Sequence, residues 1–181
     1  MHITRTLAAL ALVGGLCAAD TIAVVVNAEQ QPKIQTALDT YLADLKAEGY
    51  ATKLKSWDMA TADQQTPAQL KAWLKGAGIQ GAVFIGRVPV ANVNSSTDSY
   101  QKNFVSDIYY MDLGTTWADA NADGRFEQPA VKDLEIWVSR ISGWGFDTKK
   151  TGTDEAGLTN RYLDKAHRFR TGELRLPPKS A

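Results

Sequence analysis

The chain has 181 residues, with 20 Lys and Arg balanced by 20 Asp and Glu, a formal net charge of zero and one cysteine. The two signs are interspersed along the chain, which argues against nucleic acid or an anionic membrane as a partner.

A short basic start (His2, Arg5) leads into an unbroken small and apolar run, LAALALVGGLCAA, from Leu7 to Ala19, with Asp20 directly after it. This is the build of a secretory signal peptide. The run falls short of the roughly 20 residues that a membrane-spanning helix needs. Small side chains at Cys17 and Ala19 suit a signal peptidase, so residues 1–19 are expected to leave and the rest to be secreted or periplasmic. Leu16 before Cys17 argues against lipidation, and a buried N-terminal helix is the alternative. Loss of the leader removes the sole thiol. The mature chain then has no disulfide, no thiolate metal site and no cysteine nucleophile. Residues 20–181 suit one domain.

TIAVVVN, from Thr21 to Asn27, is a β-branched run of the kind buried on both faces of a sheet. Gln31 and Pro32 open a helix with Ile34, Leu38, Tyr41, Leu42 and Leu45 on one face, and Gly49 closes it. Tyr50–Trp57 is a second strand, followed by a polar loop from Asp58 to Gln65. Thr66, Pro67 and Gln69 form a capping box for a helix whose Leu70, Trp73, Leu74 and Ala77 face inward. Gly76 and Gly78 end it, and GAVFIG from Gly81 to Gly86 is the third strand. Alternating strands and helices with short joins predict parallel pairing in an α/β layered domain.

Ala91–Gln101 is expected to be a polar loop at the carboxyl end of the third strand, where ligands of open α/β sheets gather. Wet loops are polar in any case, so the composition alone does not decide. Two further strand-like runs, Asp107–Leu113 and Glu135–Ile141, flank an acidic loop. After GWGFDTKKTGT, Asp154 caps a last helix with Leu158, Tyr162, Ala166 and Phe169 inward. His167, Arg168 and Arg170 sit in its final turn, where the helix dipole favours cations, and Gly172 stops it.

The acidic loop carries the sharpest chemical signal. Asp119, Asn121 and Asp123 alternate, Gly124 supplies the tight turn and the Arg125 carbonyl follows, as in the first half of a calcium loop. The second half departs: Ala130 stands where a bidentate glutamate belongs, with Pro129 before it. Glu127, or else the nearby Asp112, Asp133 and Glu135, is the candidate to complete a Ca2+ shell. A solvated turn built from Asp, Asn and Gly for their backbone habits is the competing reading. Elsewhere there is no Gly-x-Ser-x-Gly elbow. His167, the only histidine of the mature chain, lies among arginines, and one histidine cannot build a zinc triad. Gly143-Trp144-Gly145 lacks the spacing of a phosphate loop.

The order VFIGRVPV, SDIYYMDL, an acidic glycine-bearing loop, EIWVSRI and the amphipathic YLDKAHRFR resembles the N-terminal part of gingipain-type cysteine peptidases, a secreted branch of the caspase-like clan. In that family an apolar strand ending Gly-Asp-x-apolar-Pro precedes a Ser-Asp-x-Tyr-Tyr segment and an Asp-apolar-x-Val-Gly-Arg-Ile strand. Here Arg87 replaces the acidic residue, Glu135 the aspartate and Ser139 the glycine. The resemblance spans roughly Ala82 to Gly172. It implies a caspase-like three-layer sandwich with a mostly parallel sheet, calcium-assisted stability, and a Cys/His dyad acting on peptide bonds from the ends of later strands. The family's histidine precedes a glycine, whereas His167 precedes Arg168, so no catalytic residue carries over.

The expectation is therefore a secreted gingipain-like domain that is incomplete and not a peptidase on its own. Its sheet edge beside EIWVSRI is left open for a missing C-terminal half or another chain, and truncation of a longer reading frame is the simplest account. A calcium-stabilised binding module using Ala91–Gln101, Tyr109, Tyr110 and Trp117, with a protein or peptide partner, is the alternative. An enzyme built on acidic side chains is a third.

Overall fold

The computed structural model describes residues 19–94, 103–127, 129, 133–146 and 148–174. The leader lies outside these residues except for Ala19, as do Ala130, 95–101 of the expected polar loop, and the end of the tail.

The described residues form seven strands and five α-helices, in the order β1 (Thr21–Asn27), α1 (Gln35–Ala47), β2 (Ala51–Trp57), α2 (Pro67–Gly76), β3 (Gly81–Ile85), β4 (Asn92–Asn94), β5 (Asn103–Val105), α3 (Ile108–Met111), β6 (Arg125–Glu127), β7 (Trp137–Ile141), α4 (Thr148–Thr151) and α5 (Glu155–Arg170). The main sheet has the order β2-β1-β3-β7, and every pairing in it is parallel. The expected α/β layering and the sheet membership of EIWVSRI both hold.

Strand alternation divides the core. Ile22, Val24, Val26, Val83 and Ile85 pack beneath α1 and α5 with Leu38, Leu45, Ala156 and Leu163. On the opposite face Ala23, Val25, Ala82 and Phe84 meet Leu70 and Leu74 of α2, Tyr109 and Tyr110 of α3, and Val93 of β4. Helices therefore cover both faces of a sheet whose central strands are buried from Ile22 to Val26 and from Gly81 to Ile85.

Local chemistry explains the boundaries. Thr66 Oγ1 accepts from the Gln69 N–H while the Gln69 side chain bonds the Thr66 N–H, the reciprocal cap expected, worth about 1 kcal/mol. Pro32 lies in a 3₁₀ turn, Gln31–Lys33, rather than in α1, which starts at Gln35. Gly49 leaves α1 with φ +94, a conformation that favours glycine.

Four expectations are corrected. Asp107–Leu113 is not a strand: Ile108–Met111 is a helical turn, with the Asp107 carbonyl accepting from the Tyr110 and Met111 N–H groups. A strand would send neighbouring side chains to opposite faces, whereas Tyr109 and Tyr110 are both buried in one core. Ala91–Gln101 is not all loop, because β4 pairs antiparallel with β5 and parallel with β6 in a second, three-stranded sheet. The strand of EIWVSRI begins at Trp137; Glu135 and Ile136 instead donate their N–H groups to the Met111 carbonyl. The inward face of α5 is Ala156, Thr159 and Leu163, while Tyr162 and Phe169 stand about half exposed, at 53% and 55%. Small Ala156 and Thr159 let the helix approach the sheet closely, and the bulky rings take the neighbouring stripe.

Candidate functional site

The acidic loop grows from a buried anchor. Asp112, fully buried at the end of α3, accepts from the Thr115 N–H at 2.9 Å and the Trp117 indole N–H at 2.8 Å. Burial works against its ionisation, but these donors, the Thr115 side chain and the Lys71 charge together outweigh it and hold the carboxyl below its ordinary range. Trp117 meets Tyr109 edge-on at 5.4 Å, and Tyr109 stacks on Phe126 at 4.3 Å. The Lys71 ammonium lies 4.6 Å from the Tyr109 ring centre and 5.6 Å from that of Trp117, and donates to the Thr115 carbonyl. Burial lowers the Lys71 pKa and raises that of Tyr109 to about 12. Tyr109, Tyr110 and Trp117 are thus core residues, which removes them as the exposed aromatics of a binding module.

Above this base the turn is closed by its own side chains. The Asp119 carboxylate accepts from the Asp123 and Gly124 N–H groups, both at 3.0 Å, and Asn121 Oδ1 accepts from the Asp123 N–H at 3.2 Å. Asp123 Oδ1 accepts from the Arg125 N–H at 2.9 Å, and its other oxygen accepts from Asn121 Nδ2 at 3.2 Å. Ala122 at φ +56 and Gly124 at φ +79 make the chain turn tightly enough for this. The Arg125 guanidinium stands 3.7 Å from Asp123. Glu127, on β6, accepts from the Ala120 N–H at 3.4 Å.

The structure brings Asp119, Asn121, Asp123 and Arg125 into one turn with Glu127 at its foot. Among the described residues no three His, Cys, Asp or Glu side chains converge as a metal-holding group. Asp112 and Glu135 are engaged elsewhere, Glu135 accepting from the Leu113 N–H at 2.7 Å. A carboxylate offers about four lone-pair sites, so Asp119 and Asp123 retain acceptor capacity beyond these bonds.

A second junction was not singled out from the sequence. Arg140 of β7 holds Asp107 through two hydrogen bonds, lies 5.0 Å from the Phe84 ring centre, and donates to the Val88 and Pro89 carbonyls at 3.4 Å. The Tyr110 hydroxyl donates to the same Pro89 carbonyl at 2.8 Å, and burial drives its pKa strongly upward. The signal was present in the sequence as an Asp and an Arg within the two motif segments SDIYY and VSRI.

The carboxyl ends of β1 and β3 form the topological switch point of the sheet, where a crevice is expected. A cavity of about 300 Å³ opens there, lined by Asn27, Glu29, Asp58, Met59, Ala60 and Arg87. Arg87 stacks on Trp144 at 5.1 Å. Behind it the buried Gln30 amide donates to Thr159 Oγ1 at 2.7 Å, and its carbonyl oxygen lies against Gly86 without a partner.

His167 is the single histidine among the described residues, which hold no cysteine. Its Nδ1 lies 3.0 Å from the Asp44 carboxylate, while Arg170 reaches Glu48 at 2.8 Å, so the end of α5 is tied to α1 by side chains as well as by its dipole. Ser142 Oγ donates to the Glu155 carboxylate at 3.0 Å. No described helix is long and apolar enough to cross a membrane. No family model, curated protein or solved structure matches the chain.

Proposed function

We propose that this chain is an exported domain of the gingipain type, caspase-like in its layering, which does not cleave peptide bonds by itself and works through contact with a protein or peptide. The observation that carries this reading is the Asp107–Arg140 junction. It joins the two motif segments on which the resemblance rests, SDIYY and VSRI, beneath a third, VFIGRVPV, whose Phe84, Val88 and Pro89 meet Arg140. A sheet of order β2-β1-β3-β7 with helices on both faces agrees with it. The side-chain ties of His167 to Asp44 suit a structural histidine. The test is hydrolysis of arginyl, lysyl and generic peptide substrates by the purified chain, with and without iodoacetamide. No turnover is expected, and thiol-dependent cleavage would contradict the reading.

The oxygen-rich turn favours a second reading, a calcium-stabilised extracellular module. Asp119, Asn121, Asp123 and the Arg125 carbonyl are the donors of such a site, with Glu127 completing it. Hard oxygen ligands of this number suit a weak extracellular Ca2+ site with Kd on the order of 10⁻⁴ to 10⁻³ M.

A further inference from the structure

The crevice at the carboxyl ends of β1 and β3 is shaped by local bonds. Asn27, the last residue of β1, donates from Nδ2 to the Arg87 carbonyl at 2.9 Å and accepts the Gln30 N–H on Oδ1 at 3.1 Å. Gly86, at φ +76, turns the chain out of β3, and Arg87 after it is exposed. A second wall comes from the loop after β2. The Asp58 carboxylate accepts from the Ala60 N–H at 2.9 Å and from the Thr61 hydroxyl at 3.1 Å, while the Asp58 N–H donates to Gln64 Oε1 at 2.9 Å. These bonds hold Met59 and Ala60 as the apolar part of the lining.

Two opposite charges in this lining are uncommitted. Arg87 rests its guanidinium over the Trp144 ring, 5.1 Å from the ring centre. Its N–H donors lie in the guanidinium plane, and among the described residues none of them meets an acceptor. The exposed Glu29 carboxylate likewise takes no hydrogen bond or ion pair there. Asp58, by contrast, commits both oxygens to its own loop. Arg87 and Glu29 thus line one cavity without reaching each other, and the space between them suits a ligand that carries both charges. Behind the floor, Gln30 is 5% exposed and its Oε1 is the one buried side-chain atom without a partner among the described residues. Such orphans mark places where packing alone does not set the side chains.

We propose that this crevice binds a small zwitterion, a free α-amino acid with an apolar side chain. The ligand's carboxylate takes the in-plane fork of Arg87, its ammonium takes Glu29, and its side chain lies on Met59 and Ala60. A simple anion would leave its charge beside Glu29, and a simple cation would face Arg87, so the two groups together select a ligand bearing both signs. Trp144 holds the guanidinium plane, which reduces the ordering that binding requires. The inference goes beyond the family reading and is independent of it: hydrolysis of peptides by the chain, or its absence, leaves the crevice as it is.

Calorimetric titration of the purified chain with L-leucine tests it, alongside L-leucinamide, which lacks the carboxylate, and N-acetyl-L-leucine, which lacks the ammonium. Leucine is expected to bind with Kd on the order of 10⁻⁴ M, as suits a ligand of this size, and each blocked form about tenfold more weakly or worse. Arg87→Gln should weaken leucine by about tenfold or more and erase its preference over leucinamide. Glu29→Gln should erase the preference over the N-acetyl form. Both side chains are exposed, so the circular dichroism and melting temperature of these variants should match those of the parent. A parent chain that binds no leucine at about 10 mM, a hundredfold above the expected Kd, would overturn the proposal. So would blocked forms that bind as well as leucine, or a leucine affinity unmoved by Arg87→Gln.

Discussion

The guanidinium of Arg140 and the carboxylate of Asp107 meet in a two-point contact, 2.7 Å from the terminal nitrogen and 3.2 Å from Nε. A planar fork of this kind matches a carboxylate in a way that an ammonium cannot. The pair also spans 33 residues, so it fastens the α3 turn to the edge strand where backbone ladders do not reach.

Arg140→Lys is accordingly expected to lose most of what Arg140→Met loses. Both side chains are partly exposed, at 19% and 28%, so solvent screening tempers the charge contribution. A loss of about 1–2 kcal/mol from the hydrogen bonds to a charged partner is expected. Urea unfolding of Arg140→Lys, Asp107→Asn and the double variant gives the coupling as a double-mutant cycle. A coupling near zero would mean that the contact is incidental.

Asp112 gives the fold a pH dependence of known sign. Its carboxyl is held below the ordinary value in the folded chain. Its contribution is therefore complete above the unfolded pKa of about 3.9 and is lost as the pH falls through the lower folded value. Asp112→Asn turns an N–H group toward donors that need acceptors, at a cost of about 1–3 kcal/mol near neutrality. The penalty should shrink in strong acid, where the parent carboxyl is itself protonated. Urea midpoints of both proteins from pH 7 down to pH 2 would show the two curves converging; parallel curves would rule out the linkage.

The elements legible from the sequence were those in which one signal acts alone. TIAVVVN and GAVFI are short β-branched or apolar runs bounded by turn residues, and they form the buried centre of the sheet. The capping box at Thr66 and Gln69 marked the start of α2 for a similar reason. Where two patterns compete, tertiary packing decides. In α5 the Leu158, Tyr162, Phe169 stripe is the more hydrophobic, yet Ala156 and Thr159 face the sheet because Gln30 bonds Thr159 and a small surface permits contact. In SDIYYMDL a strand and a helical turn are equally compatible with four to seven residues, and only the shared core around Phe84 and Trp117 selects the turn. The acidic turn was legible in its donors. Its closure onto its own backbone and the buried role of Asp112 depend on contacts that spacing does not reveal.

Calcium titration by calorimetry separates the two readings of the acidic turn. A weak exothermic or entropy-driven isotherm is expected for the parent chain, with Kd on the order of 10⁻⁴ to 10⁻³ M, and none for Asp123→Ala. The Arg125 guanidinium competes with a cation for Asp123, so Arg125→Ala, which keeps the backbone carbonyl, should bind several-fold more tightly. Identical traces for parent and Asp123→Ala would leave a turn held by Asp, Asn and Gly for backbone reasons alone.

Gly86 ends β3 under two separate constraints, and they predict different rescues. Its φ of +76 lies in the left-handed region, where an L side chain costs on the order of 1 kcal/mol. A methyl group there would also fall 1.8 Å from Gln30 Oε1 and 3.1 Å from Asn27 Cβ, so the buried amide must move and surrender its bond to Thr159. Gly86→Ala should therefore destabilise the fold by about 2–4 kcal/mol, the sum of strain and a broken buried contact. Shortening the neighbour in the double variant Gly86→Ala with Gln30→Ala removes the clash and leaves the strain. The two losses should then be sub-additive by about 1 kcal/mol or more in thermal unfolding. Strict additivity would place the whole effect in the backbone and remove Gln30 from the account.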